Sequence, residues 1–171
     1  MNTYAPRLAP WERSRHDRRM DDAPALYRNA AGRIALIADS FARLLGRPLV
    51  DAGHDPVAAL WNAPCAIVAH GVEADPIFFF GNRVALARFE CDVVAFTAMP
   101  SRLSAEAPLR EERQVLLDRV RDHGFIDDYR GVRISATGQR FRLEQAVVWN
   151  LIDRDGARHG QAACFDRWTM L

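Results

Sequence analysis

The sequence predicts an α+β fold in which a five-stranded antiparallel sheet is covered by short helices. The main observation is a series of three long strands near the carboxyl end, joined by short turns that contain glycine. Such turns, here at 136–138 and 153–156, are typical of hairpins. Hairpin connections make neighbouring strands antiparallel, so the three strands belong to one sheet. They are predicted at 125–135, 139–152 and 157–165.

Two shorter strands and several helices complete the predicted order. The shorter strands are 66–69 and 77–80, with a turn between them. Apolar residues recur at helical spacing over 26–45, and Gly46 and Pro48 then provide a stop signal. The remaining predicted helices follow the capping residues Asp55, Asn82 and Asp92, and a longer one covers 109–122.

The 171-residue chain divides into three predicted parts. Residues 1–23 mix charges and prolines without periodicity, which predicts a flexible N-terminal arm. Residues 24–63 predict a helical extension, and residues 64–171 contain all the predicted strands. The length itself corresponds to one domain with a helical extension.

The strand at 139–152 indicates how the sheet uses its two faces. One side of this strand is apolar and is interrupted by Gln145, while polar residues occupy the other side. This pattern predicts that helices cover one face of the sheet and that the other face is partly open. The residues grouped on the apolar side are Phe141, Leu143, Val147, Trp149 and Leu151.

Composition excludes several classes of protein. All 23 basic residues are arginine, so chemistry that needs a lysine amine, including Schiff bases and phosphate-loop lysines, is excluded. The net charge of +1 provides no electrostatic footprint for nucleic acid. Three cysteines without paired spacing predict a reducing, cytoplasmic location. No signal peptide and no membrane-spanning segment are expected.

Six stretches of this sequence resemble a known family in their order and spacing. They are DPIFFFGN (75–82), PSRLSAE (100–106), REER (110–113), GFIDDYRGVRIS (124–135), GQRFRLEQAVVWNLID (138–153) and GQAACF (160–165). Together they resemble the MEKHLA family, a PAS-like group, over about residues 25–168. The hexapeptide that names the family is absent, because the chain has no lysine.

The resemblance implies a PAS-like sensory or regulatory module that binds a small molecule or a protein partner, with no catalysis expected. It implies a bacterial single-domain protein. The homeodomain and zipper of the plant members are absent, so their DNA binding does not carry over. A sensor without an output domain signals through association, so the amphipathic helix within 26–45 predicts a homodimer. Neither nucleic acid nor a membrane is expected as a partner.

No cofactor is identified from the sequence. Light-sensing flavin relatives of this fold need a cysteine at the place where this chain has Ser101. A haem sensor needs an axial histidine, for which His123 is the candidate, although a histidine also suits a helix C-terminus. Two cysteine–histidine pairs, Cys65 with His70 and His159 with Cys164, are metal candidates. In each pair the residues are five apart, which sends their side chains to opposite faces of a strand, so no metal site is predicted.

Five residues in apolar surroundings are candidates for ligand binding: Asn82, Arg133, Gln145, Trp149 and Gln161. A buried amide without a partner costs about 1–3 kcal/mol, so Gln145 needs a partner: the backbone, water, a neighbour such as Gln161, or a ligand. Arg133 suits a carboxylate held by two hydrogen bonds, and a cross-strand pair with Glu144 is the alternative. Asn82 also suits a helix cap, and Trp149 also suits the core.

A small α+β cavity enzyme, of isomerase or dehydratase type, is the alternative class. It would use Asp127 or Asp128 together with His123 for acid–base chemistry. Consecutive aspartates on a strand point to opposite faces, so at most one of them reaches a site. The other interpretation of these carboxylates is that they are solvated at a strand edge.

Overall fold

The computed structural model describes residues 22–51, 53–106 and 110–171. Five strands form one antiparallel sheet in the order β2-β1-β5-β4-β3, which confirms the predicted fold class. The last strand continues past its predicted end at 165. The strands are β1 (Ala66–His70), β2 (Phe78–Gly81), β3 (Phe125–Ile134), β4 (Arg140–Ile152) and β5 (Arg158–Met170).

Helices precede the first strand and fill the segment between β2 and β3. The three predicted capping side chains each accept a hydrogen bond from the backbone N–H three residues later. Gly46 ends the longest N-terminal helix in the left-handed conformation. The helices are α1 (Ala25–Asn29), α2 (Ala31–Leu45), α3 (Pro56–Trp61), α4 (Arg83–Phe89), α5 (Val93–Thr97), a 3-10 helix (Ser101–Ser104) and α6 (Arg110–His123).

Helices lie on both faces of the sheet, including the face predicted to be partly open, on which Arg142 of β4 stays exposed. On the side that carries Trp149, here called the extension face, α2 lies across β4. Phe41 packs edge-on against Trp149 with ring centroids 4.9 Å apart. The buried residues of α2 include Ile34 and Ile37. The apolar side of α2 from which the homodimer was predicted is therefore buried within the chain itself.

Helix α1 is also tied to the sheet, through the hydroxyl of Tyr27. This hydroxyl donates to the Gly81 carbonyl oxygen and accepts from the Gly81 N–H, both at 3.0 Å. Burial raises the pKa of Tyr27 to about 12. The predicted arm at 1–23 lies outside the described residues except for Asp22 and Ala23. The predicted boundary between residues 63 and 64 remains an expectation, and α2 and the sheet share one buried core.

On the other side of the sheet, here called the cavity face, an aromatic cluster packs under α4 and α5. The Phe89 ring lies 5.4 Å from Phe141, 5.7 Å from Phe96 and 6.5 Å from Phe165. Phe78 of β2 stacks on Phe96 at 4.5 Å. Helix α6 packs on β3 and β4.

Irregular pairing around Gln145 changes which residues of β4 face the cavity. The register between β4 and β5 shifts on both sides of Gln145, which is exposed. Leu143 and Val148 consequently lie on the same face, and Trp149 lies on the opposite one. The sequence pattern grouped Leu143 with Trp149, and this grouping is wrong because strict alternation cannot reveal a bulge.

Candidate ligand site

A cavity of about 50 Å³ lies between the cavity face of the sheet and the helices that cover it. All five strands contribute to its wall, together with α4, α6 and the 3-10 helix. A water molecule needs at least 10–15 Å³ of such space, so the cavity has room for about four water-sized groups. Most of the wall is apolar. The polar side chains among the described lining residues are His70, Ser104, Tyr129, Arg133 and Gln161.

Two amide side chains at one end of the cavity form a network with α6. Asn150 Nδ2 donates to the carbonyl oxygens of Val120 and Arg121 at 3.0 and 3.2 Å. Gln161 Nε2 donates to the Leu117 carbonyl oxygen at 3.0 Å and to Asn150 Oδ1 at 3.2 Å. Backbone carbonyls only accept hydrogen bonds, so these contacts determine which way both amides point.

Gln161 lines the cavity, and Oε1 is the acceptor atom of the same amide. This oxygen is buried, and no donor in the described part of the chain reaches it. A buried acceptor without a donor costs about 1–3 kcal/mol. A molecule in the cavity that carries an O–H or N–H group would remove this cost.

His70 lies beside Gln161, because the two residues pair directly between β1 and β5. Its ring Nδ1 donates to the Gly71 carbonyl oxygen at 2.9 Å, which fixes the ring in the cavity wall. Ser104 of the 3-10 helix also lines the cavity, and its hydroxyl donates to the Ser101 carbonyl oxygen at 2.7 Å.

Arg133 and Tyr129 form the other polar end of the cavity. Arg133 pairs with Phe141 on β4, whereas Gln161 pairs with Asn150, so the two ends are separated along the sheet. The Arg133 guanidinium lies 5.0 Å from the Tyr129 ring centroid and donates to the Tyr129 hydroxyl. It also donates to the Val132 carbonyl oxygen at 2.9 Å.

The alternative pair between Arg133 and Glu144 is not formed. Glu144 instead accepts a hydrogen bond from the Thr169 hydroxyl at 2.6 Å. Arg133 is only 9% exposed, and none of the ion pairs in the described part of the chain includes it.

Asn82 is fully buried and its amide is occupied by the chain's own backbone. Its Oδ1 accepts from the N–H groups of Ala85 and Ile67, both at 3.0 Å. Its Nδ2 donates to the Leu60 carbonyl at 3.2 Å and to the Cys65 carbonyl at 2.8 Å. Asn82 therefore caps α4 and links it to α3 and β1, outside the lining of the cavity.

Gln145 and Trp149 also lie outside the lining of the cavity. Gln145 is exposed, and its Oε1 accepts from Arg167 Nη2 at 2.7 Å. Trp149 lies on the extension face, where its Nε1 donates to the Ile37 carbonyl oxygen. Of the five candidate residues, the structure thus brings only Arg133 and Gln161 to the cavity.

The residues of the enzyme alternative do not meet in the cavity. His123, Asp127 and Asp128 are all exposed, and His123 Nδ1 donates to the Arg119 carbonyl oxygen at 2.8 Å. Among the described lining residues there is no aspartate or glutamate. The described residues also include no cluster of three side chains that could hold a metal ion.

Sequence reasoning missed Tyr129 as a lining residue and considered His70 only as a metal ligand. Tyr129 had a usable signal, because Tyr129, Gly131 and Arg133 alternate along one strand and so share a face. His70 had none, because its place beside Gln161 depends on the pairing of β1 with β5.

The order of elements and the cavity between sheet and helices define a PAS-like domain. The sequence profile of the MEKHLA domain matches residues 31–170. The chain therefore belongs to the MEKHLA domain family, as the resemblance implied. None of the described helices is long and apolar enough to cross a membrane.

Curated relatives share this domain with the chain. Homeobox-leucine zipper protein HOX29 of Oryza sativa subsp. indica is 30% identical over 66% of this chain, which is 13% of that protein. Homeobox-leucine zipper protein ATHB-14 of Arabidopsis thaliana is 26% identical over 76% of this chain, which is 16% of that protein. The chain thus spans about one seventh of these relatives. They are plant proteins, so the implied bacterial origin is wrong and is withdrawn.

Solved structures share the PAS fold at low sequence identity. A PAS domain from Colwellia psychrerythraea is 10% identical with a TM-score of 0.53, covering 66% of this chain and 91% of its own. A fungal LOV domain photoreceptor is 14% identical with a TM-score of 0.51, covering 77% of this chain and 88% of its own. A PAS domain of a LuxR-family regulator from Burkholderia thailandensis, in complex with ethanol, is 18% identical with a TM-score of 0.50, covering 66% and 94%.

Proposed function

We propose that this domain is a sensory or regulatory module that binds a small molecule in the cavity on the cavity face. The observation that carries the proposal is Gln161 Oε1, a buried acceptor at the cavity with no donor in the described chain. Its orientation follows from four hydrogen bonds of the Gln161–Asn150 network. A ligand that donates to this oxygen would satisfy it.

The same network offers a route from the ligand to the surface of the domain. Gln161 and Asn150 join the sheet to the backbone of α6 at Leu117, Val120 and Arg121. A ligand shifts an equilibrium only if it binds two states differently. A ligand hydrogen-bonded to Gln161 favours the state in which Gln161 and Asn150 hold α6 against the sheet. The position of α6 would therefore differ between the empty and the ligand-bound cavity.

The comparisons support this function by analogy. The curated relatives are homeobox-leucine zipper proteins, which supports a regulatory role for the shared domain. The LuxR-family PAS domain was solved in complex with ethanol, and a molecule of that size fits the volume of the present cavity. The acid–base enzyme receives no such support, because its three residues are exposed.

The test fills the cavity with a larger side chain. Ala163 of β5 lines the cavity, so Ala163→Leu places extra apolar volume inside it. Ala157→Leu makes the same change at an exposed turn position and serves as the control. A second filling variant, Val148→Phe, keeps the test informative if Ala163→Leu does not fold. A thermal-shift screen of small amphiphilic molecules is run on each protein, and hits are verified by native mass spectrometry.

We expect compounds that stabilise the wild type and Ala157→Leu but not the cavity-filled variants. The proposal is wrong if every stabilising compound acts equally on the wild type and the filled variants, or if no compound stabilises the wild type.

The homodimer and the cytoplasmic location remain predictions from the sequence. The dimer would need a surface other than the apolar side of α2, which is buried in the chain. Sedimentation velocity of the full chain tests it, and a single monomeric species at micromolar concentration would contradict it. The reducing compartment rests on the three cysteines, which are all free in the structure.

A further inference from the structure

We propose that the ligand of this cavity is a small carboxylate with a short aliphatic body, and that its carboxylate pairs with Arg133. This inference rests on one part of the proposed function, that the cavity binds a small molecule. It concerns the Arg133 end of the cavity, because a simple carboxylate has no donor for Gln161 Oε1 at the other end. Its basis is a buried guanidinium that lines an apolar cavity and has only neutral partners in the described chain.

Arg133 is a buried residue with a charged side chain. An arginine side chain keeps its positive charge in proteins, so burial cannot be relieved by loss of a proton. Buried charges in proteins are therefore normally paired with an opposite charge. Arg133 is 9% exposed, but its partners are the Val132 carbonyl and the ring and hydroxyl of Tyr129.

Three acidic residues that lie on β4, or contact it or the turn before it, have partners other than Arg133, and one of them, Glu106, pairs with Arg140 at 2.6 Å. Glu90 accepts hydrogen bonds from the hydroxyls of Ser135 and Thr137, beyond the end of β3. Glu144 accepts from Thr169. No aspartate or glutamate is among the described residues of the cavity wall. The cavity thus carries a positive charge that the described chain does not balance.

The Arg133 guanidinium has N–H groups to spare for an anion. Arginine has five N–H groups in a planar fork, and two of the Arg133 groups have acceptors in the described chain. The remaining donors suit a planar carboxylate, which accepts two parallel hydrogen bonds from one guanidinium. The Tyr129 hydroxyl beside them provides a further polar group for the same anion.

Size and polarity favour a carboxylate over a phosphate. A phosphate group needs several donors around its oxygens, and the cavity wall near Arg133 offers few besides Arg133 and Tyr129. The cavity holds about four water-sized groups. This volume corresponds to a carboxylate with about one further carbon atom, whose aliphatic part would contact Leu143 and Ile126.

Gly131 allows the Tyr129–Arg133 arrangement to form. It lies between the two residues on β3, and a side-chain carbon at this position would lie 2.8 Å from Tyr129 Cζ and 3.5 Å from Arg133 Nη1. The Tyr129 ring therefore occupies the space above Gly131 and orients the guanidinium. Gly131→Ala is expected to displace Tyr129, which makes Tyr129 and Gly131 positioning residues for the anion site.

The experiment compares carboxylates with their neutral isosteres on the full-length chain. Acetate, propionate and butyrate are titrated calorimetrically in a chloride buffer without other carboxylates, and acetamide, propionamide and butyramide are titrated in parallel. The proteins are the wild type, Arg133→Gln, Arg133→Lys and the control Arg142→Gln. Arg142 is an exposed arginine on the neighbouring strand β4.

We expect the wild type and Arg142→Gln to bind at least one carboxylate about tenfold or more tightly than its amide. Arg133→Gln should lose this preference, and Arg133→Lys should keep part of it because the charge remains without the fork. The comparison within the wild type stays valid even if a variant does not fold.

Two results would overturn the inference, and they have different consequences for the proposed function. If the amides bind the wild type as well as the carboxylates, the cavity binds small molecules but the charge assignment is wrong. If neither series binds, the carboxylate inference is also wrong. The proposed function then falls only if the screen of cavity-filled variants also finds no compound specific to the wild type.

Discussion

The indole Nε1 of Trp149 donates a hydrogen bond to the backbone carbonyl oxygen of Ile37 across 3.2 Å. Trp149 is fully buried on β4, and Ile37 lies in the middle of α2. The bond joins a helix of the N-terminal part to the sheet, over a large separation in sequence. The structure of α2 therefore depends on the sheet, and the helix cannot leave the sheet without exposing the indole and the apolar side of α2.

Replacement of Trp149 by phenylalanine should destabilise the domain. Trp149→Phe keeps an aromatic ring against Phe41 but removes the donor to Ile37 and leaves a small cavity. We expect the free energy of unfolding to fall by about 2–4 kcal/mol. Trp168→Phe is the control, because Trp168 is only partly buried, and it should cost less than about 1 kcal/mol. If urea unfolding shows the same decrease in the free energy of unfolding for Trp149→Phe and Trp168→Phe, Trp149 has no special role.

Asn82 and Asp92 cap their helices with the same geometry, but only Asn82 is buried. The two caps should therefore contribute differently to the free energy of unfolding. Asn82→Ala removes the cap of α4 and leaves backbone groups of Ile67, Leu60 and Cys65 without partners. We expect a loss of about 2–4 kcal/mol in the free energy of unfolding. Asp92→Ala removes only the exposed cap of α5 and should cost about 1 kcal/mol. Urea unfolding midpoints at constant m-value measure the loss in each variant. Similar midpoints for the two variants would show that the burial of Asn82 does not increase the contribution of its cap.

Gly160 is expected to tolerate no side chain. Its φ is 146°, and an added carbon would lie 3.0 Å from the His70 carbonyl carbon and 3.2 Å from Gly71 Cα. Both are backbone atoms of β1 and its end, so Gly160→Ala must push β1 away from β5. Gly138→Ala is the matched control, since Gly138 also has a positive φ but open space around it.

We expect Gly138→Ala to lower the free energy of unfolding by about 1 kcal/mol and Gly160→Ala by clearly more, about 3 kcal/mol or above. Thermal unfolding followed by circular dichroism provides the comparison. If the two alanine variants have the same melting temperature, β1 does not approach Gly160 as closely as the structure shows.

Stability at acid pH should depend in part on Glu90. Hydrogen bonds from the Ser135 and Thr137 hydroxyls lower the pKa of Glu90 below its ordinary value. A carboxyl whose pKa is lower in the folded state contributes stability above its unfolded pKa, and this contribution is lost as the pH falls through its folded pKa. Glu90→Gln should therefore destabilise the domain at neutral pH and should have less effect at pH 3 and below.

The measurement for Glu90 is a series of urea unfolding curves between pH 7 and pH 3. Glu112→Gln, at an exposed position of α6, is the control and should leave the pH profile unchanged. A constant difference between the wild type and Glu90→Gln at every pH would contradict the titration of Glu90 as the cause.

The elements of the fold were predictable because they depend on local patterns. The caps at Asp55, Asn82 and Asp92 and the hairpins after Ile134 and Ile152 are signals within a few residues, and each appears in the structure at the predicted place. For the residues of β4 after Leu143, the sequence did not predict which face of the sheet each side chain occupies. The irregular pairing around Gln145 arises from contacts between two strands, and an alternating pattern does not report it.

The candidate site was predictable only in part. Gln161 and Arg133 were chosen as polar residues in apolar strands, and both line the cavity. The same reasoning also selected Gln145, which the irregular register turns to solvent, and Asn82, whose four hydrogen bonds serve the backbone. Whether a polar group is satisfied by the chain depends on partners far away in sequence, and composition and spacing do not contain that information.

Residue types and short-range spacing are enough to predict the class of fold, the order of elements and the exclusion of lysine chemistry. That α2 covers the extension face, and is not available to a partner there, emerges only in the folded chain. The same holds for the acceptor of Gln161 and for the neutral partners of Arg133, both of which are seen among the described residues. Burial and hydrogen-bond partners depend on strand register and helix packing, which join residues as far apart as Ile37 and Trp149.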